Sequence, residues 1–590
     1  METYALDFET YYDKSCSIRT LGPLGYFSHP DFDAYMVSVV GDDGYKFVGH
    51  PKDFDWSMLQ HKIVLSHNAS FDETLYLYGV TQDWWPEITP AHWYCTADMA
   101  AACGLPRSLK NATAQAYDLE ISKTTRDNMS GKRWESMSEE FQKEVSEYAL
   151  KDSELCLKLW QDYSPKWSQF ERDISRMNRT MVQHGLPIDT ELLEANLQTL
   201  RKGLFECEQS IPWASDKPLL SRKAFDEECI KLGIEPPASL AQTDTDAQDW
   251  IRRHGHKYRW IEGVTNWRRI NALMKKLESF DYATMPDGRY YGGVMYFGGH
   301  TGRFSGSGGN LNLQNLPRDE MFGANLRHMI AAPKGRKLVM VDLSNIEVRT
   351  LCYLAKDKET LKEIAETDDI YEAFAIRFGL WPKNPDKPLK SDPKLRHKVK
   401  ALVLGCGYGA GAAKFSQIFD MPIEEAEESV KLYRSRLKKI PRYWRELSDD
   451  VQTAYDLGVP YQLNLPSGRV LDYGKIKGAS ATVNGRQTIQ HTAIMNRNGK
   501  RLPMKLWGGI LAENASQAMA RDIMCHMMLE IEKAGIRIIL HVHDEVVVEC
   551  DESDAEDVLA TMTRIMSTAP EWCSDLPLDA EGGISQHYKK

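Results

Sequence analysis

A chain of 590 residues is too long for a single core and implies three or four domains, and its 42% hydrophobic and 27% charged residues are those of an ordinary folded soluble protein. No run is long enough to span a membrane, METYALDFET lacks the basic start and apolar stretch of a signal peptide, and eleven cysteines without a CxxC pair read as reduced thiols, so a cytoplasmic location is expected. A net charge of −11 would exclude a nucleic-acid partner only if it were spread evenly, and it is not.

The N-terminal Tyr4-Ala5-Leu6-Asp7-Phe8-Glu9-Thr10 reads as a strand, where residues two apart point the same way, so Asp7 and Glu9 present two carboxylates on one face. A short apolar run, IVLSHNASFD, then leads to Asn68 and Asp72. FQKEVSEYALKDSELCLKLW has helical periodicity and sets Tyr148 and Asp152, four apart, on one face. Together these acids and the tyrosine suit a two-metal hydrolytic site on a mixed α/β scaffold, although any one pair alone reads equally as a solubilising surface.

Residues 252–276 are dense in Lys and Arg against one acid, Glu262, with Tyr258, Trp260 and Trp267 interleaved for packing or base contacts; residues 431–445 contain no acid at all. Such stretches suit a phosphate backbone, the competing reading being a solvated helix face. Between them, LVMVDLSNIEVR is an apolar strand ending in Asp342 and continuing to Glu347 and Arg349, where Asp342 or Ser344 also reads as a helix N-cap. In KLRHKVKALVLGCGYG, Arg396, Lys400, Leu404 and Tyr408 recur every four residues and are expected on one helical stripe, while Gly405, Gly407 and Gly409 weaken its far end. Near the C-terminus, IILHVHDEVVVE at 538–549 reads as two β-branched strands of a hairpin with Asp544 and Glu545 at the turn, a place for a metal ligand or simply a polar turn.

Taken jointly, DFET, HNASFD and Tyr148-Ala149-Leu150-Lys151-Asp152 resemble, in order and spacing, the three motifs of the DEDD 3′–5′ exonucleases of the tyrosine subtype. The resemblance implies a ribonuclease H-like domain in which Asp7, Glu9, Asp72 and Asp152 hold two Mg²⁺ or Mn²⁺ ions and Tyr148 orients the attacking water. The segments around Asp342, Arg396 to Tyr408, and His543-Asp544-Glu545 resemble motifs A, B and C of the family A, DNA polymerase I-like, DNA polymerases. Thr301 to Ser305 (TGRFS), Asn312 to Pro317 (NLQNLP), Glu513 to Ala518 (ENASQA) and Arg521-Asp522 extend that likeness.

What this second resemblance implies is an α/β and α+β multidomain chain, with a right-hand palm, fingers and thumb after the exonuclease. Asp342 and Asp544 would bind two catalytic Mg²⁺ ions, with Mn²⁺ as a substitute. Arg396 and Lys400 would grip the phosphates of an incoming dNTP, Lys400 giving a proton to pyrophosphate. Leu404 and Tyr371 would lie at the nucleotide, Tyr408 near the templating position, and Glu347 would exclude a ribose 2′-hydroxyl. Arg303, Gln517 and His543 would follow the primer–template DNA, and Glu545 would be a supporting acid. Departures from the family pattern bear on sugar and base discrimination: Leu343 for Tyr, Asn345 for Gln, Leu404 for an aromatic, Tyr371 for His and Glu513 for Asn. Several, with LPSGR at 465–469 and LGCGYGAG, resemble the phage branch.

The expected map is an exonuclease at 1–165 with no 5′ nuclease ahead of it, a thumb at 166–290, palm at 291–385 and 500–590, and fingers at 386–499 beginning after the loop PKNPDKPLKSDP. The expected protein is a monomer, with replication accessory proteins as further partners, no membrane association, and a role in replicating phage DNA. Two rival readings are an exonuclease or nucleic-acid-binding protein with a non-catalytic second half, against which Asp342, Lys400 and Asp544 stand, and a template-directed RNA polymerase, against which Glu347 and the proofreading motifs stand.

Overall fold

Strand β1 (Thr3–Glu9) alternates Tyr4, Leu6 and Phe8 on one face with Ala5, Asp7 and Glu9 on the other, and the first sheet is built around it. With β2 (Met36–Gly41), β3 (Lys46–Gly49), β4 (Ile63–Ser66) and β5 (His92–Cys95) the order is β3-β2-β1-β4-β5, β2 running antiparallel and β4 parallel to β1. Aromatics fill the Phe8 face: its ring stacks on Trp56 and Trp85 with centroids 6.1 and 5.4 Å away. Burying a ring of this size contributes about 2–3 kcal/mol. The chain is described here by a computed structural model over residues 2–119, 124–241, 244–306, 312–383, 386–483, 486–497 and 500–589. Residues 385 and 590, where the two palm segments are expected to end, lie outside the described residues.

Helices α1 (Ala69–Thr81), α2 (Thr124–Met129) and α3 (Glu139–Tyr163) accompany the sheet. The Ser138 hydroxyl caps α3 by accepting from Phe141 N at 3.3 Å, and Glu139 and Glu140 sit at the positive end of its dipole. Small Ala5 lets α3 close on the second face, with Leu155 and Leu159 in one cluster with Ala5 and Leu65. Ser38 Oγ donates to the Ala149 carbonyl at 2.8 Å and fixes the register of α3 against β2.

Helix α4 (Gln169–His184) follows, and the chain divides into two compact units beyond it: Met1–Gln183, Gly293–Ser305 and Val339–Ile584 in one, His184–Gly292, Gly306–Leu338 and Ser585–Lys590 in the other. The start of the expected thumb segment, 166–183, therefore groups with the first sheet. The reason is polar: Arg179 donates to Glu73 Oε2 and the Trp93 carbonyl, both at 2.7 Å, and Asn178 Nδ2 donates to the Val294 carbonyl at 2.9 Å.

The second unit holds α5 (Thr190–Glu208), α6 (Thr245–Gly255) and α7 (Arg259–Ala283), α5 and α7 packed along one another. Its basic stretch runs from the end of α6 along α7, and the interleaved aromatics serve packing. Trp260 lies among Trp213 and Phe225 at centroid distances of 5.6 and 5.1 Å, and Trp267 Nε1 donates to Glu208 at 2.9 Å.

In the first unit β6 (Arg336–Leu343) leads into α8 (Ile346–Leu354), α9 (Ile370–Phe378), α10 (Pro393–Cys406), α11 (Ile423–Arg436) and α12 (Lys439–Leu457). The hairpin β7 (Pro460–Asn464) and β8 (Val470–Lys475) is turned by the LPSGR segment. Then come β9 (Lys477–Val483), β10 (Arg486–Arg497), β11 (Lys500–Leu506), α13 (Gly508–Lys533), β12 (Ile538–Val542), β13 (Glu545–Asp551) and β14 (Ala580–Ser585). The second sheet has the order β12-β13-β6-β14. Its Val339, Val341, Val546 and Val548 share one core with Met519 and Ile523 of α13. At the start of α13 only glycine fits position 508, since a Cβ there would lie 1.7 Å from the Trp444 carbonyl oxygen. The mixed helix and sheet class expected from the sequence is the class the chain has.

Candidate functional site

Two groups of acids sit at the ends of these sheets. In the first, Asp7 and Glu9 extend the Ala5 face of β1 toward α3, on which Tyr148 and Asp152 lie one turn apart. Asp72, in the first turn of α1, accepts from the Phe8 backbone N–H at 3.2 Å and is 2% exposed. Burial, then mutual repulsion with Glu9, Asp72 and Asp152, pushes the Asp7 carboxyl well above its usual range. Burial likewise pushes Glu9 and Asp72 up to about 8 and Asp152 up to about 6. Acids that repel one another this strongly, Asp72 buried and Asp7, Glu9 and Asp152 half-buried, are a donor set short of positive charge, which suits divalent cations. The counter-charge among protein groups is Arg126 of α2, which lowers Asp7, Glu9 and Asp152; it lies in a polar stretch with no sequence signal and was not anticipated.

The second group forms where β6 meets the β12–β13 hairpin. Leu343 N donates to the Asp544 carbonyl at 3.0 Å, so Asp342 and Asp544 stand on adjacent backbones at the end of the sheet. The turn is His543-Asp544, His543 being exposed with φ of 56°. Glu545, expected in the turn, instead opens β13 and is 4% exposed, because its pairing with Val542 draws it into the sheet. Asn345 in a left-handed conformation precedes α8, whose Glu347 accepts from Arg303 Nη2. Tyr408 lies by this pair, its hydroxyl raised far above the usual phenol value by burial and then by Glu347. Gln517 Nε2 donates to Glu513 at 3.3 Å. Among the described residues no three His, Cys, Asp or Glu side chains close into a ready metal-binding group.

Helix α10 carries the cationic stripe, capped by the Asp392 side chain accepting from Leu395 N at 3.0 Å. Arg396, Lys400 and Leu404 follow one another along it, Lys400 exposed and Leu404 49% exposed. The helix ends at Cys406, so Tyr408 stands past its last turn and the expected four-residue stripe stops at Leu404; the weak helix formers Gly405, Gly407 and Gly409 are the cause. Arg396 is paired with Asp369, Nε to Oδ2 at 2.7 Å and Nη2 to Oδ1 at 3.2 Å, and lies over the Tyr371 ring at 5.0 Å. Tyr371 in turn donates to Asn345 Oδ1 at 2.9 Å, joining two of the positions that depart from the family pattern.

Behind this centre lies a buried ionic network for which the sequence offered only fragments. Glu171 of α4 accepts from Arg521 of α13 twice, at 2.5 and 2.9 Å, and from the Tyr296 hydroxyl at 2.6 Å. Asp522 accepts from Arg469 Nε at 2.9 Å and from the Ser467 hydroxyl at 2.5 Å, while Arg469 Nη2 also donates to the Thr301 carbonyl at 2.8 Å. The LPSGR turn and the TGRFS segment are thereby tied to α13. His541 of β12 is a further unanticipated residue: 1% exposed, edge-on to Phe304 at 4.3 Å, and held neutral by burial, which pushes it down to about 3.

The family model for DNA polymerase family A matches residues 190–459 and 468–590. A DNA polymerase of Bacillus phage SP02 is 24% identical, the alignment covering the whole of both chains. The thermostable DNA polymerase I of Thermus filiformis is 26% identical over 76% of this chain, which spans about half (52%) of that relative. Among solved structures, the POL domain of Pol1 from M. smegmatis, in complex with DNA primer-template and dNTP, has a TM-score of 0.69 and 19% identity, covering 100% of this chain and 95% of its own; at that identity the likeness speaks for the fold.

Proposed function

Because the chain belongs to DNA polymerase family A, we propose that it extends a primer 3′ end with dNTPs on a DNA template, in the replication of phage DNA, around Asp342 and Asp544. The observation that supports this most is the Leu343 to Asp544 backbone bond, which brings the turn carrying Asp544 against the strand end carrying Asp342, within the same unit as the cationic stripe of α10. Arg396 and Lys400 bind the triphosphate, and Lys400 supplies a proton to the departing pyrophosphate. Glu347, oriented by Arg303, excludes the 2′-hydroxyl, and Tyr408 closes the templating position. Gln517 and His543 follow the primer–template.

A second activity, 3′–5′ exonuclease proofreading, is favoured by the four acids of the first sheet, whose raised carboxyls call for counter-charge. Mg²⁺ or Mn²⁺ held by Asp342 and Asp544, and by Asp7, Glu9, Asp72 and Asp152, would supply an activated oxygen nucleophile and neutralise the leaving oxygen. Tyr148, one helical turn from Asp152, orients the attacking water. Primer extension and 3′-end degradation assays with Mg²⁺ test both readings. Asp544→Ala abolishes extension and leaves degradation, and Asp7→Ala with Glu9→Ala does the reverse; loss of both activities in either well-folded variant refutes the division.

A further inference from the structure

The segment between the LPSGR turn and α13 is used by none of the motifs above. Its strands β9, β10 and β11 form a three-stranded antiparallel sheet. Lys477 pairs with Thr492 and Thr492 with Lys505, so one row crosses all three strands. Directly paired and alternate residues share a face, which adds Gln490 and Arg501 to it. The opposite face carries His491, Ala493 and Leu506, all buried, and His491 packs on Tyr455 of α12 at 5.2 Å. One side thus meets the core through these three residues, with Ile489 and Leu502 of the same face exposed beyond them, and the other turns Lys477, Arg501 and Lys505 outward, all exposed.

The charge of this segment sets it apart. From 473 to 512 there are Lys475, Lys477, Arg486, Arg497, Lys500, Arg501 and Lys505 and no acid, in a chain where one residue in seven is Asp or Glu. Trp507 continues β11 in extended conformation (φ −162°, ψ 159°), which brings it out on the side of Lys505, and it is 44% exposed. It abuts Gly409, whose φ of 78° and missing side chain make room: a Cβ there would lie 2.8 Å from the indole. The cationic row thus ends beside Tyr408 and Gly409, past the last turn of α10.

We infer that this face is a track for the phosphate backbone of the single-stranded template ahead of the polymerase site, with Trp507 as a stacking platform where the track meets it. Cations in a row with an exposed aromatic at one end are the means by which single strands are held without sequence preference. The inference rests on the polymerase reading. Its test uses the full chain and a labelled primer–template carrying a long 5′ template overhang, beside the same duplex trimmed to the templating base.

In the triple variant Lys477→Ser, Arg501→Ser, Lys505→Ser, affinity for the long overhang falls about tenfold, and the slope of log affinity against log salt falls by about two, as for three single-strand phosphate contacts. Affinity for the trimmed duplex is unchanged. Trp507→Ala weakens the long-overhang complex alone, again about tenfold. Equal affinity and slope in wild type and triple variant overturn the track, and so does an equal loss on both DNAs. A wild-type chain that binds neither DNA refutes the polymerase reading instead.

Discussion

Glu171→Gln is the sharpest probe of the architecture, because the carboxylate it removes is bonded on every side. Glu171 and Arg521 are 6% and 5% exposed, paired through two hydrogen bonds, and Tyr296 donates to the same carboxylate. Breaking a buried pair by removing one partner costs about 3–5 kcal/mol, since the other charge stays desolvated. Here Asp522 remains within 3.4 Å of Arg521 and shares the load, which puts the expected cost near the lower bound, about 3 kcal/mol. Arg521→Met should cost a similar amount, and the double variant clearly less than the sum, because no charge is then stranded. Amide hydrogen exchange along α13, residues 515–528, reads this locally and does not need two-state unfolding of so long a chain. Protection lowered by less than about 1 kcal/mol in Glu171→Gln, or strictly additive single changes, would refute the account.

Asp369→Asn keeps the α9 cap but frees Arg396, so KM for dNTP should fall and inhibition by pyrophosphate strengthen, by about threefold given the partial exposure of the pair; steady-state kinetics decide it. Glu347→Ala should raise ribonucleotide incorporation relative to deoxynucleotide on the order of a hundredfold, read from competing rNTP and dNTP; an unchanged ratio moves the gate elsewhere. His67 is half-buried, its ring bonded to Thr96 and the Arg107 carbonyl, and desolvation, opposed by the bond to that carbonyl and aided by the Arg107 charge, sets it from 6.5 down to about 4. The unfolded chain binds that proton more tightly, so stability is complete above pH 6.5 and is lost as pH falls toward 4, by about 3 kcal/mol. His67→Gln should flatten that part of the wild-type stability profile, and an identical profile would show that the imidazole is not buried neutral.

Much of this was legible in the sequence because the local signals agreed. Alternation in TYALDFE, the four-residue spacing of Tyr148 and Asp152, and the apolar runs ending at Asp342 and flanking Asp544 each specify an element and its exposed end. What was not legible depends on partners far apart in the chain. Glu171 is one acid in a polar helix until Arg521, 350 residues on, makes it a buried ligand. Arg126 and Asp369 likewise acquire roles only from the carboxylates or guanidinium the fold sets beside them. The end of α10 at Cys406 shows the converse, a regular four-residue pattern overruled by glycines within it.

The Arg396–Asp369 pair has a consequence for selection among anions. On the polymerase reading, a nucleotide does not fill a vacant cationic socket; it must take Arg396 away from a carboxylate that already satisfies it through two bonds. Binding is then an exchange, and ligands are graded by what they offer beyond one carboxylate. A lone phosphate gains little from the trade, whereas a chain of phosphates can reach Lys400 a turn further along the same helix. The resting pair acts as a threshold for polyphosphate length, set before any base is read.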